Sequence, residues 1–281
     1  MMSGKIIGLG EILWDMLPTG KALGGAPANF AYHVTRLGGA GVAVSAVGSD
    51  PLGDEIVALL TQKGLTAHLE RVAHPTGTVA VTLDERGVPS YEICEGVAWD
   101  NIPYTPALQS LAAEAAAVCF GSLAQRSECS AVTIQSFLAA LPAGCLKVFD
   151  INLRQHYYSR EVIERSLQVA DILKINDEEM EVVAPMLDIA GDDTERCRTL
   201  IDRYGLQAVV LTRGSKGSLV VTATEADERG VVEVEVVDTV GAGDAFTAAF
   251  VVAWLRGDTV AAAHQLATES SAYACTLKGA M

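Results

Sequence analysis

The chemistry of this chain concentrates in seven consecutive residues, Asp238-Thr239-Val240-Gly241-Ala242-Gly243-Asp244. A β-rich run, Gly230–Val237, leads into them. A helical pattern from about Ala242 to Arg256 leads out, with Gly257 as its C-terminal stop. Two glycines at a helix start let the backbone turn tightly. The N–H groups of residues 241–244 then lie at the positive end of the helix dipole, which makes an anion site. Gly241, Ala242 and Gly243 are the candidate anion hole. Asp244 is the odd member, because a carboxylate there repels an anion. Taking the proton of a hydroxyl that attacks a phosphate gives it a reason to be there. An ordinary Asp, with a pKa of roughly 3.9, is a poor base for a ground-state alcohol, so the hydroxyl must acidify as the phosphoryl group arrives. The plainer alternative is an acidic residue favoured in a first helical turn.

Such a site needs strands and helices to hold it. Lys5–Leu9, Val42–Val47, Ala117–Phe120, Lys147–Ile151, Ile172–Ile175 and Ala208–Thr212 read as strands, several apolar throughout. Helical patterns lie between them, at Ala28–Leu37, Glu55–Lys63, Ala131–Leu141, Arg160–Val169, Glu178–Met186 and Glu195–Tyr204. This alternation predicts a parallel sheet covered by helices, with ligands at the carboxyl ends of the strands. Thr76–Glu95 breaks the pattern and reads as two alternating strands around a turn at Glu85–Pro89. An isolated hairpin is marginal in water, so it must lie on something. A flap over a site and an edge hairpin of the main sheet are the two readings.

Composition narrows the partners. The chain has 281 residues, half of them hydrophobic, enough for one sizeable core. Its net charge of −15 argues against nucleic acid, which needs a basic face. It does not argue against a single small anion held by backbone N–H groups. No apolar stretch reaches 18 residues and the N-terminus lacks a secretory pattern, so the expectation is no membrane span and a cytoplasmic location. The six cysteines are scattered without a Cys-x-x-Cys pair, which predicts buried free thiols. No Walker-type loop is present, and Gly8-Leu9-Gly10 has Leu13 where a dinucleotide fingerprint has its third glycine.

Asp238–Phe246 (DTVGAGDAF) resembles the C-terminal signature of the ribokinase-like (PfkB) family of carbohydrate and nucleoside kinases. Gly24-Gly25-Ala26-Pro27-Ala28-Asn29-Phe30-Ala31 resembles that family's N-terminal Gly-Gly signature. The two stand about 210 residues apart, in the family's order. The resemblance covers essentially the whole chain. It implies one kinase domain over residues 1–281, with a three-layer α/β/α fold, a mainly parallel central sheet and a small β lid. The hairpin at about 76–95 falls where the lid belongs, with contributions from about 12–26. Lid hairpins of similar kinases often pair between subunits, which implies a homodimer.

The resemblance also implies roles. Asp15, Gly24, Gly25 and Asn29 would hold a small sugar: the glycines by letting the backbone come close, Asn29 by offering donors and an acceptor. Asp150-Ile151-Asn152-Leu153-Arg154 is similar to a fructokinase-like run that often has proline at the position of Ile151, and Arg154 would reach the transferred phosphate. Lys174-Ile175-Asn176-Asp177-Glu178-Glu179 resembles the Asn-x-x-Glu motif linked to Mg²⁺, with Asn176 and Glu179 acting through waters. The same two residues also fit an N-cap and capping box. Thr212-Arg213-Gly214-Ser215-Lys216-Gly217 resembles the nucleotide-side loop, giving Thr212, Gly214 and Gly217 to ATP, or else it is only a tight turn. The adenine wall falls near Ser270, Ala274 and Gly279, and the resemblance implies K⁺ activation as well. Relatives usually run on for several residues past the position of Met281. Gly-Glu-x-x-Trp-Asp at Gly10–Asp15 and Val97-Ala98-Trp99-Asp100 look fructokinase-like. The expected activity is therefore ATP-dependent phosphorylation of a sugar hydroxymethyl group, fructose leading. The alternatives are another sugar such as 2-keto-3-deoxygluconate, a nucleoside, and a non-catalytic sugar-binding homologue.

Overall fold

The structure is a computed structural model that describes residues 4–17, 20–83 and 89–281. Thirteen strands run in chain order: β1 Lys5–Leu9, β2 Leu13–Leu17, β3 Gly20–Gly24, β4 Gly41–Gly48, β5 Thr66–Val72, β6 Gly77–Leu83, β7 Pro89–Ile93, β8 Ala115–Phe120, β9 Leu146–Asp150, β10 Ile172–Asn176, β11 Ala208–Thr212, β12 Ser218–Thr222 and β13 Ala226–Arg229. The α-helices are α1 Ala26–Arg36, α2 Pro51–Gln62, α3 Pro106–Ala112, α4 Glu128–Ala139, α5 Arg160–Leu167, α6 Asp177–Met186, α7 Asp193–Tyr204, α8 Ala242–Arg256 and α9 Val260–Cys275.

Nine strands form one sheet in the order β13-β12-β11-β10-β9-β8-β1-β4-β5. Seven of them, from β11 to β5, are parallel, and β12 and β13 are added antiparallel at one edge. Both faces are apolar because both are covered, and alternation along a strand sends side chains each way. On β8, Ala117 and Cys119 join a core with α1, α8 and α9, while Val118 and Phe120 join a core with α3 to α7. This is the expected three-layer α/β/α arrangement with a mainly parallel sheet. The chain leaves β1 toward β4 on one side and returns through β8 on the other. That reversal opens a crevice at the carboxyl ends of β1 and β8, where such folds bind ligands.

The second sheet has four strands in the order β3-β2-β6-β7. The hairpin β2–β3 pairs through β2 with β6 in parallel, and β6 pairs with β7 antiparallel. The predicted hairpin therefore lies on residues 13–24, not on the edge of the main sheet. Residues 85–88 of its predicted turn lie outside the described residues. Its root is fixed by Arg126, which is 6% exposed and paired with Asp100 at 2.8 Å. The guanidinium also donates to the Cys94 carbonyl and sits 4.0 Å from the Trp99 ring centroid.

One element differs from the expectation. Gly230–Val237 alternates like a strand but forms none, and Val231, Val236 and Val237 stay exposed. The N–H groups of Val237 and Asp238 both reach the Cys275 carbonyl instead of a sheet partner. Alternation makes a strand only where an edge is available to pair with. All six cysteines are free as expected, but only Cys119, Cys145 and Cys197 are buried, and Cys129 is exposed. No described helix is long and apolar enough to cross a membrane.

Candidate active site

Gly241 is the N-cap of α8 in the left-handed conformation, with φ 81°. The helix starts at Ala242 and ends on Gly257, also left-handed, as the sequence predicts. The first-turn N–H groups have no helical acceptor and Asp244 stands among them. Asn29, buried on α1, donates its Nδ2–H to Asp244 Oδ2 at 2.8 Å. The N-terminal and C-terminal signatures, 215 residues apart, thus meet in one hydrogen bond. Asn29 serves the protein's own carboxylate, a partner that the sequence did not disclose.

The environment of Asp244 changes the expectation for its acidity. Burial and the nearby Asp150 carboxylate push its pKa up to about 7, against the opposing pull of Asn29, Lys174 and Arg154. Asp244 is therefore a much stronger base than an ordinary aspartate.

Below it lies a buried ion pair. Lys174 on β10 and Asp150 on β9 are register partners, with Nζ 3.1 Å from Oδ1 and both side chains nearly closed to solvent. Thr247 of α8 donates to Asp150 Oδ2 at 2.9 Å, tying the pair to the helix that carries Asp244. A Cβ placed on Gly243 would stand 3.2 Å from Lys174 Nζ. The glycine leaves room for an ammonium directly beneath the first turn of α8. Sequence reasoning misses Lys174 and Asp150 as site residues. Their signal is a buried charge, mid-strand at Lys174 and strand-ending at Asp150, which a covered strand tolerates only when paired.

The Gly24-Gly25 pair has its own cause. A Cβ on Gly24 would lie 2.7 Å from Asp15 Oδ2, on the neighbouring strand of the small sheet. The space belongs to the Asp15 carboxylate. Gly25, with φ 118°, packs against the Glu11 carbonyl. Burial raises the Asp15 carboxyl above its usual range, while Arg154 draws it down. Arg154 is exposed in the loop after β9 and donates to the Leu153 carbonyl. Its charge reaches Asp15, Glu11 and Asp244.

Asn176 and Glu179 form the predicted capping box at the start of α6. Asn176 Oδ1 accepts from Glu179 N at 2.7 Å and Glu179 Oε2 from Asn176 N at 2.9 Å. Glu179 Oε1 accepts from Leu153 N at 2.9 Å. Both carboxylate oxygens are committed to backbone donors. A hydrated cation, touched through waters, fits them better than direct ligation. Thr212 is the register partner of Asn176, so the loop that follows Thr212 starts beside it. Gly217 has φ 91° and packs against the Arg229 carbonyl, while Gly214 stands in open space. Ser270 lies half-buried on α9, and among the described residues no hydrogen bond or ion pair joins it to the group around Asp244. Nearby, Gly279 N donates to Asp238 Oδ2 at 3.0 Å and His33 lies 3.0 Å from the Ala280 carbonyl, so these residues close over the start of α8.

The pfkB family carbohydrate kinase model matches residues 18–281. The fructokinase of Klebsiella pneumoniae is 32% identical over 300 residues, covering 100% of this chain and 96% of that protein. A fructokinase variant of Vibrio cholerae O395, solved with fructose, ADP and a potassium ion, is 26% identical with a TM-score of 0.82 and covers 100% of this chain and 94% of that one. A sugar kinase of Pyrococcus horikoshii, solved with ATP, is 26% identical with a TM-score of 0.82, covering 98% and 93%.

Proposed function

The chain belongs to the pfkB family of carbohydrate kinases, and on that premise we propose that it moves the terminal phosphoryl of ATP to a hydroxymethyl group of fructose. The observation that carries the site assignment is the Asn29–Asp244 hydrogen bond, which holds a carboxylate raised to about 7 by its burial at the mouth of an anion hole. Asp244 takes the hydroxyl proton as the phosphoryl group arrives. The N–H groups of Gly241 to Asp244 stabilise the charge that builds on it. Asp15, Gly24, Gly25 and Asn29 hold the sugar side, and Arg154 reaches the phosphate. Thr212, Gly214, Gly217 and Ser270 face the nucleotide. Mg²⁺, when bound, neutralises phosphate charge, and Asn176 and Glu179 would hold it through waters. The potassium ion of the Vibrio relative suggests a K⁺ dependence here too.

The small sheet acts as a lid in this reading. It carries Asp15, so closing it would bring the sugar ligand and exclude water together. Its outer strands also leave edges for a second subunit, and we read the protein as a lid-paired homodimer in the cytoplasm. Fructose is favoured by the fructokinase relatives and by the Gly10–Asp15 motif. ATP consumption against fructose, 2-keto-3-deoxygluconate, ribose and adenosine tests the reading. Fructose should give the highest kcat/KM, and no turnover on any of them would refute the kinase assignment.

A further inference from the structure

Glu11 follows β1 and has no part in the chemistry described so far. It is 3% exposed, and its Oε2 has no hydrogen-bond partner among the described residues. It lines a small cavity with Pro27, Gly121, Asp150 and Asn152, at the carboxyl ends of β1, β8 and β9. The free volume is about 10 Å³, the room of one water. Asp150 lines the same cavity. Its Oδ1 pairs with Lys174 Nζ at 3.1 Å and meets no other polar partner among the described residues. One orphaned carboxyl oxygen and one carboxylate oxygen with a single partner, around room for one molecule, define a site, because buried polar atoms are ordinarily satisfied by protein or by ordered water.

We propose that Glu11 is a positioning residue of the kinase site: as the neutral acid it holds one buried water against Asp150 and so fixes the Asp150–Lys174 pair beneath the anion hole. The inference rests on the kinase reading above. In this arrangement Glu11 Oε2–H donates to the water, and the water donates to Asp150 Oδ1. Glu11 Oε2 then has a partner and Asp150 Oδ1 gains a second. The alignment of Asp150 passes through Thr247 to α8 and through Lys174 to the space under Gly243.

Charge explains why the acid is neutral. The titratable and charged groups that face Glu11 are Cys119 on β8, Asp150 on β9, Arg154 after β9 and Asp244 on α8. Cys119 is a buried thiol pushed well above its usual value, so it adds no charge. The ammonium of Lys174 is already paired with Asp150. Burial raises Glu11 to about 7, with Asp244 adding to the rise, while backbone N–H groups and Arg154 oppose it. Ionising it would put a further negative charge beside the base and the incoming phosphate.

Two variants and one spectroscopic readout test this. Glu11→Gln keeps a neutral donor of the same shape, and Glu11→Leu removes it. The Gln variant should keep kcat within about threefold of wild type and lose the alkaline decline that ionising Glu11 imposes above pH ~7. The Leu variant should lose kcat by at least about thirtyfold with KM for ATP and sugar within about threefold. A Gln variant as impaired as the Leu variant, an alkaline limb unchanged in it, or a Leu variant above a third of wild-type kcat would overturn the proposal. Should the Leu variant not fold, the Gln pH profile still decides. Independently of turnover, the infrared carbonyl band of a neutral carboxylic acid should be present in the wild type at pH 6 and reduced in Glu11→Gln. A wild type inert on every sugar whose band is still reduced in Glu11→Gln would sink the kinase reading alone, whereas no difference in the band would sink this one.

Discussion

Replacing Asp244 with Asn should make the protein nearly inactive and, at neutral pH, more stable. The carboxyl sits at about 7 instead of its ordinary 3.8, mainly through burial and the charge of Asp150. Below about pH 4 the group is neutral folded or unfolded and costs nothing. As pH rises from there, the unfolded chain releases the proton and the folded one does not, so stability falls. The loss is complete once the folded group also ionises near 7. At about 1.36 kcal/mol for each pH unit between the two values, the loss comes to about 4 kcal/mol. Residue 244 is partly exposed, so solvent screening brings the expected gain in Asp244→Asn to about 2–4 kcal/mol at pH 8. The gain should shrink to near zero at pH 4. Asn can still accept the hydrogen bond from Asn29 through its own carbonyl oxygen, so the geometry survives. Urea unfolding at pH 4, 6 and 8 reads the stability, and a coupled ATP assay reads turnover. Equal stability at pH 8 would refute the raised pKa. More than a tenth of wild-type kcat, equivalent to less than about 1.4 kcal/mol of barrier, would refute the base.

Other perturbations probe the neighbours. In the wild type, kcat/KM should rise with pH through about 7 as Asp244 ionises, and an acid limb near pH 4 would contradict its environment. Asn29→Leu removes the donor that lowers the Asp244 pKa, so the acid limb should move up and kcat drop about tenfold or more. Gly243→Val puts a branched side chain against Lys174 Nζ, and ATP kinetics should suffer while the protein still folds. Normal ATP kinetics would remove the anion hole from the account. Gly24→Ala should displace the Asp15 carboxylate and raise KM for the sugar far more than KM for ATP. Arg126→Met strands the buried Asp100 and should cost about 3–5 kcal/mol on thermal or urea unfolding.

Some of this is legible in the residues and some is not, and the division has a physical cause. The strands β1, β8, β9, β10 and β11 announce themselves because a covered parallel strand must be apolar on both faces. The start of α8 announces itself because a left-handed N-cap and a close approach both demand glycine. The edge strands β5 and β13 carry charges and look like loops, while Gly230–Val237 has the alternation without a partner. Pairing is a property of the sheet, and no local window contains it. The same limit governs the site. A sequence motif names residues that face one another within a turn, as Asn176 and Glu179 do. It says nothing about what arrives from elsewhere in the fold. Gly24 is a glycine because Asp15 needs the volume, Gly243 because Lys174 does, and Asn29 faces the carboxylate of a helix 215 residues away. Each of these small or neutral residues marks the place of a charged one on another strand or helix. The acidity of Asp244 follows from that assembly. Burial and Asp150 raise it, while Asn29, Lys174 and Arg154 restrain it, and not one of those four residues lies within its own motif.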